Sequence, residues 1–191
     1  MSFYPDPRPV PAGLRHEQFL LEPLSPAHLD RDYAAVMASR EMLRRWSGTS
    51  WPADDFTIDG NLEDLEMHFD EQQRRVAFTY TVLSRDGSVC LGCIYITPMT
   101  NLHEANPDLE AGPHDAVVGF WTTTGPAGDA IADELLASMR SWFMSAWEFG
   151  KVAFAVRPEH SEQVAFLERA GLTEWRRVFV ASRQSEYILF V

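Results

Sequence analysis

The sequence predicts an α+β protein with a mixed, mainly antiparallel central sheet flanked by helices. Three observations predict it. Short apolar segments bounded by turn residues cluster at 76–123 and again after residue 150, the pattern of strands. Longer stretches at 25–38, 61–74 and 125–149 repeat apolar residues at helical spacing. The resulting order, β-α-α-β-β-β-α-β-α-β-β, is that of a mixed-sheet single domain. The chain's 191 residues, 46% hydrophobic and 23% charged, suit one folded core and exclude wholesale disorder.

Residues 1–16 carry four prolines before residue 13 and read as an extended arm lying on the surface; residues 17–191 read as one domain. Residues 16–24 (HEQFLLEPL) form a first strand, and Ser25-Pro26 supplies an N-cap and an N1 proline. Leu29, Tyr33, Val36 and Met37 follow at helical spacing. A short helix is expected at 41–46, a loop at 47–58, and an acidic helix at 61–74 with Leu62, Leu65 and Phe69 on its apolar side. Strands at 76–83 and 90–97 join through Asp86-Gly87. The loop at 98–112 is long for a compact domain and so is a candidate functional or mobile segment. A strand at 116–123 leads through Gly125-Pro126-Ala127-Gly128 into a helix running to about residue 149. Its stripe is Ile131, Leu135, Met139, Trp142, Phe143 and Ala146, and Gly150 is its expected C′ residue. A strand at 151–156, a helix at 161–170 closed by Gly171, and a strand pair at 175–182 and 185–191 complete the chain.

The formal net charge is −12, from 28 acidic and 16 basic residues. The longest basic runs are the pairs Arg44-Arg45, Arg74-Arg75 and Arg176-Arg177, so neither nucleic acid nor an anionic membrane is an expected partner. A cationic, amine-bearing partner suits this surface better. No stretch approaches 18 apolar residues and no secretory signal opens the chain, which places it in the cytoplasm. Cys90 and Cys93 match C-x-x-C spacing. On a regular strand, side chains three apart face opposite sides, so the expected reading is two buried free thiols and no metal. A redox or metal protein using both is a rival reading.

The most informative stretch is 120–134, FWTTTGPAGDAIADE. A strand runs into a glycine-bearing turn that becomes the first turn of a long helix. Free amides and the positive end of the helix dipole converge there, an arrangement suited to an anion. The pattern is neither G-x-x-x-x-G-K-[ST] nor G-x-G-x-x-G.

At these residues the chain resembles the GNAT superfamily, the acyl-CoA-dependent N-acyltransferases, whose cofactor loop reads [Q/R]-x-x-G-x-[G/A]. Gly128 and Ala130 match, and Gly125 stands where Gln or Arg is usual. Residues 157–172, RPEHSEQVAFLERAGL, resemble the family's strand-loop-helix segment, with His160 at its usual Asn and Gln163 at its usual Ser. The opening FLLEPL-Ser-Pro resembles the family's opening, and Glu134 stands where the branch that acetylates protein N-termini and antibiotics often carries a glutamate. The resemblance covers about residues 17–191.

It implies a sheet splayed where two neighbouring strands part, with pantetheine in the gap and acetyl-CoA as co-substrate. Backbone groups of the strand at 119–123, including Trp121, Thr122 and Thr123, would hold pantetheine. The amides of Gly125, Pro126, Ala127, Gly128, Asp129 and Ala130 would surround the pyrophosphate. It also implies two departures. Val117 occupies the position of the usual carboxylate base, and Leu167 that of the usual tyrosine acid. His160 and Asp115 are the candidate proton-transfer groups in their place, with His114 beside Asp115, and Tyr80 and Tyr95 are candidate acids. Trp46, Trp51, Asp54, Asp55, Glu63, Asp64, Glu66, His68 and Asp70 form the prospective acceptor side, suited to an ammonium through charge and cation–π contact. The acceptor is then a small amine or a protein N-terminus. The alternative function is a catalytically degenerate member of the fold, a sensor or binding domain. The final strands offer an edge for a homodimer.

Overall fold

The computed structural model describes residues 3–5 and 7–191. Its strands are β1 (Leu14–Arg15), β2 (Phe19–Pro23), β3 (Phe78–Ser84), β4 (Cys90–Pro98), β5 (Ala116–Thr122), β6 (Val152–Val156), β7 (Glu174–Val180) and β8 (Ser185–Phe190). The helices are α1 (Leu29–Ala38), α2 (Arg40–Ser47), α3 (Ile58–Gln73), α4 (Pro126–Ala146) and α5 (Ser161–Arg169). One eight-stranded sheet runs β1-β2-β3-β4-β5-β6-β8-β7. Every neighbouring pair is antiparallel except β5 and β6. The mixed, mainly antiparallel sheet expected from the sequence is therefore the observed one.

Both faces of the sheet are covered, which is why β3 is buried at six successive positions instead of alternating. On one face α4 and α5 pack Ile131, Leu135, Met139, Trp142, Phe143 and Leu167 against Phe78, Tyr80, Ile94, Val118, Phe120 and Phe154. On the other, Ala35 and Val36 of α1 and Leu43 of α2 cover Leu20, Leu83, Cys90, Cys93 and Trp121. A third cluster, Met99, Leu109, Val117, Ala153, Val178 and Leu189, fills the C-terminal half.

Four expectations need correction. The first residues are not only a surface arm: Phe3 and Tyr4 are buried, Phe3 stacks on Phe149 at 5.4 Å, and Leu14–Arg15 adds a strand to β2. His114 Nδ1 ties this segment down through the Phe3 carbonyl at 2.9 Å. Met1, Ser2 and Asp6 of the expected arm lie outside the described residues. Next, α4 ends at Ala146, because Trp147 turns extended and inserts among Tyr4, Phe78 and Phe149; Ala146 is exposed and Gly150 is not the helix terminus.

The third correction concerns the cysteines. Val82 pairs with Gly92 and Leu83 with Cys90, so Leu91 is an extra residue on β4. A bulge of this kind shifts the side-chain alternation by one, and it brings Cys90 and Cys93 to the same face. Gly92 sits at φ +154°, and a Cβ there would overlap the Trp121 carbonyl. Both thiols are free and buried.

Finally, the 98–112 loop is docked. Met99 and Leu109 are buried, and the Asn106 side chain bonds both the carbonyl and the amide of Phe179 at 2.8 Å, as a neighbouring strand would.

Candidate active site

β5 and β6 pair only over Ala116–Val152, Val117–Ala153 and Val118–Phe154. Beyond Val118 they part, while β5 continues against β4 as far as Thr122. Gln163, near the start of α5, reaches into the opening and donates from Nε2 to the Phe120 carbonyl at 3.0 Å. Its Oε1 lies 3.0 Å from His160 Nδ1. The gap is thus lined by backbone, with one of its carbonyls already engaged by a side chain.

At the C-terminal end of β5 the chain turns into α4. Gly125 precedes the helix at φ +99°, a conformation reserved for glycine, and Pro126 is the first helical residue. A Cβ on Gly128 would overlap the Thr123 carbonyl, so the turn closes only over a bare backbone. The Thr123 amide bonds Leu91, the Thr124 amide bonds Ser39 Oγ at 3.3 Å, and the Asp129 amide bonds Gly125. Pro126 has no N–H, and Ala130 already lies inside the helix. Among the described residues this leaves the amides of Gly125, Ala127 and Gly128 without a protein partner. Three free donors at the positive end of a 21-residue helix are an arrangement chemically suited to an anion, built from backbone alone. Asp129 is exposed, and no Lys or Arg stands in the turn.

The parted strands open on a cavity of about 720 Å³. Val117 and Gly119 of β5, Ala155 and Val156 of β6 and Gln163 form its base. Trp46 and Trp51 with Asp64, His68 and Glu71 form one wall, and Tyr95 stands between wall and base. The loop after β4 adds Glu104, and the β7–β8 connection adds Arg183. Trp46 packs within contact distance of where a Gly119 side chain would begin, and its ring lies 5.6 Å from that of Tyr95. Trp51 Nε1 donates to Asp64 Oδ2 at 3.1 Å. Burial pushes the Asp64 carboxyl above the ordinary range, against the opposing effect of that hydrogen bond. Burial likewise raises Tyr95, whose oxygen accepts from Trp121 Nε1 at 3.3 Å. A second hollow, about 790 Å³ and lying along β1 and β2, is lined by Arg15, Glu22, His28 and Arg31 and includes no residue of β5, β6 or the α4 turn.

Not every expected residue reaches this cavity. Asp115 lies at the opposite end of β5, where its carboxylate accepts from the Gly112 amide at 2.9 Å and the Lys151 amide at 2.8 Å. That bracket occupies both of its oxygens, and the structure gives Asp115 a structural task instead of the expected proton transfer. His160 is brought to the gap through Gln163 and does not line the cavity itself. Tyr80 gives its hydroxyl to the Pro11 carbonyl at 2.6 Å inside the main core. Trp121 is buried on the α1–α2 side and its backbone turns to β4, as does that of Thr123, whose amide bonds Leu91; of the three residues expected to hold pantetheine, only Thr122 turns its peptide to the gap. On the acceptor side, Trp46, Trp51, Asp64 and His68 reach the cavity, whereas Asp54 is exposed and held below the usual carboxylate range by Arg44. Tyr95, expected as an acid, is there as well. Glu71 and Glu104 were missed: Glu71 falls at i+3 from His68 in a helix with acidic residues all over its polar side, and Glu104 comes from a loop without period.

The described residues also hold one buried group of potential metal ligands, Asp32, Cys90 and Cys93, with ligand atoms within 4.8 Å of one another. Cys93 donates to Asp32 at 3.6 Å, and Asn61 donates to its other oxygen at 3.0 Å. Burial raises the Asp32 carboxyl, and the hydrogen bonds from Asn61 and Cys93 oppose that shift.

Comparison with known proteins agrees with this geometry. The ribosomal-protein-S5-alanine acetyltransferase from Vibrio fischeri has a TM-score of 0.67 at 14% identity, covering 94% of this chain and 95% of that one. The ribosomal L7/L12 alpha-N-protein acetyltransferase RimL, in complex with coenzyme A, gives 0.69 at 13% identity and 95% coverage of both chains. The microcin C7 self-immunity acetyltransferase MccE, in complex with acetyl-CoA and AMP, gives 0.70 at 12% identity, with 95% and 96% covered. At these identities the likeness shows the fold. No curated protein matches the sequence. The family description "acetyltransferase (GNAT) domain" matches residues 18–173. With most of its length inside that match, and with the parted strands and helix turn in place, the chain belongs to the GNAT acetyltransferase family.

Proposed function

We propose that the protein is a cytoplasmic N-acyltransferase that moves an acetyl group from acetyl-CoA to a primary amine by direct attack in a ternary complex. The observation that carries this reading is one continuous path: three free amides at the α4 turn, a backbone gap between β5 and β6, and an aromatic, acidic cavity beyond it. Acetyl-CoA, when bound, supplies a carbonyl activated by its thioester. The residues present fit it. Gly125, Ala127 and Gly128 offer amides to a pyrophosphate, and the turn that presents them closes because Gly128 has no side chain to meet the Thr123 carbonyl. Along the gap, the Thr122 peptide faces the same edge as Phe120 and is open to an extended ligand. His160 acts as a positioning residue by holding Gln163, which fixes the Phe120 carbonyl. The RimL and MccE structures, which contain coenzyme A and acetyl-CoA by description, support the choice of cofactor.

The wall of Trp46, Trp51, Tyr95, Asp64 and Glu71 favours a cationic acceptor, a small amine or a protein N-terminus, through charge and ring faces. Orientation of amine and carbonyl in such a site supplies much of the acceleration. A second reading has its own observation: Val117 lines the cavity and Leu167 is fully buried, so neither carries an acid or base. That reading is a non-catalytic binding domain. Incubation with acetyl-CoA and a panel of amines separates the two. Release of free thiol that depends on the amine, and that Gly128→Trp abolishes, supports the transferase. Cofactor binding with no thiol released by any amine supports the binding domain.

A further inference from the structure

α3 turns one side to the cavity, carrying Asp64, Met67, His68 and Glu71 at i, i+3, i+4 and i+7. We propose that His68 is the catalytic base of the transfer, taking the acceptor's ammonium proton on Nε2, and that the acceptor is a primary ammonium attached to an apolar body. The proposal rests on the acetyl-transfer reading above and supplies the base that Val117 cannot.

The geometry assigns the two ring nitrogens different tasks. Nδ1 lies 3.0 Å from Glu71 Oε2. An ionised carboxylate only accepts, so the shared proton sits on Nδ1 and the Nε2 lone pair is left free. Nε2 has no hydrogen-bond partner among the described residues, and the side chain is 21% exposed, open to the cavity but not to bulk water on all sides. The ring stands 5.4 Å from that of Tyr95, whose backbone pairs with Gly119 where β5 leaves β6. His68 therefore overlooks the mouth of the gap. One turn earlier, Trp51 occupies Asp64 Oδ2 and leaves Oδ1 to receive an ammonium. Trp46, Trp51 and Tyr95 offer faces to the apolar part of the same molecule.

The protons balance. The ammonium gives one to Nε2, and the nitrogen's freed lone pair then forms the C–N bond while the C–S pair leaves on sulfur. Of the two protons nitrogen sheds in all, the first passes from Nε2 to solvent and the second neutralises the departing thiolate. The titratable and charged groups around His68 are Asp64 and Glu71 from α3, Asp32 from α1 and Tyr95 from β4, with Glu104, Arg157 and Arg183 lining the same cavity.

The test uses the whole chain labelled with ¹⁵N-histidine, its His68 signals assigned by loss in H68Q. The probe is phenethylamine, with neutral 3-phenylpropan-1-ol as the control. Phenethylammonium is expected to move the His68 ring resonances and lower their titration midpoint, because a bound cation opposes imidazolium, while the alcohol leaves the midpoint in place. With acetyl-CoA and phenethylamine, H68Q should lose ~10²–10⁴-fold in kcat/KM together with the acid limb of the pH profile, at unchanged acetyl-CoA affinity. E71Q should lose less and displace that limb. A midpoint indifferent to phenethylammonium, or an H68Q variant with the wild-type acid limb and kcat/KM, overturns the proposal. Failure of wild-type protein to bind acetyl-CoA in a calorimetric titration overturns the transfer reading and the base role with it, and is read independently of the His68 resonances.

Discussion

Single residues divide into those whose task shows in the sequence and those whose task depends on distant backbone. Gly128 is of the first kind, since a strand, a small-residue turn and a helix predict a place where a side chain cannot stand. Gly128→Ala should destabilise the fold by about 1–3 kcal/mol, as forced overpacking does, and should abolish acetyl-CoA binding; urea unfolding and calorimetry check the two effects separately. Asp115 is of the second kind. Its partners, the amides of Gly112 and Lys151, are brought together only by the fold. Asp115→Ala should cost about 1 kcal/mol by leaving two half-buried amides without an acceptor, with turnover per folded molecule unchanged. Asp32 gives a pH signature. Burial raises its folded pKa above the unfolded value of about 3.9. Its share of stability is therefore complete below that pH and is lost as pH rises through the folded value. In Asp32→Asn this decline should vanish, so the variant gains on the wild type as pH rises and levels off once wild-type Asp32 is ionised. Urea midpoints across the pH series measure it, and two parallel profiles would count against it.

At the scale of elements, period and turn residues located seven of the eight strands and all five helices within a few residues, counting the short one at 41–46 that the predicted order leaves out. Where they failed, a tertiary contact had overridden a local signal. α4 stops three residues before its expected end because Trp147 gains a core position against Tyr4 at 5.1 Å. The strand rule for Cys90 and Cys93 failed because Leu91 bulges, and a bulge leaves little trace beyond a glycine such as Gly92. Placed together in the core, the two thiols should stay unlabelled by a bulky thiol reagent in native protein and react as two on unfolding. The N-terminal segment, read as a surface arm from its prolines, is anchored by Phe3 and Tyr4. Phe3→Ala should cost about 3–5 kcal/mol, the range for burying and then deleting a phenyl ring, seen as a lowered unfolding midpoint. For α3, the sequence shows an amphipathic acidic helix but not which of its polar sides meets a cavity. Asp64, His68 and Glu71 share one side with their neighbours' charges all around, and only the position of Tyr95 and Gly119 selects it.

For the whole molecule, the net charge of −12 has two opposite consequences. In the proposed reading, Asp64, Glu71 and Glu104 line the end of the path that would take a cationic acceptor. The same surplus repels a polyanionic cofactor at the other, where the α4 turn offers amides and no basic side chain. Raising ionic strength screens both, so acetyl-CoA affinity should hold or rise with salt while affinity for a cationic amine falls. No helix among the described residues is long and apolar enough to cross a membrane. The order of elements made the fold legible early, because hairpins and crossovers are written in local pattern. The cavity was legible only in part, since it is assembled from α2, α3, β4 and the β7–β8 connection, segments far apart in the chain. The central claim is that the bare backbone at Gly128 and the opening between β5 and β6 together hold acetyl-CoA. Calorimetric titration of the wild-type chain and of Gly128→Trp with acetyl-CoA tests it most directly. One cofactor bound per wild-type chain and none by the folded variant is the predicted result; no heat from the wild type at millimolar acetyl-CoA, or equal binding by both, would contradict it.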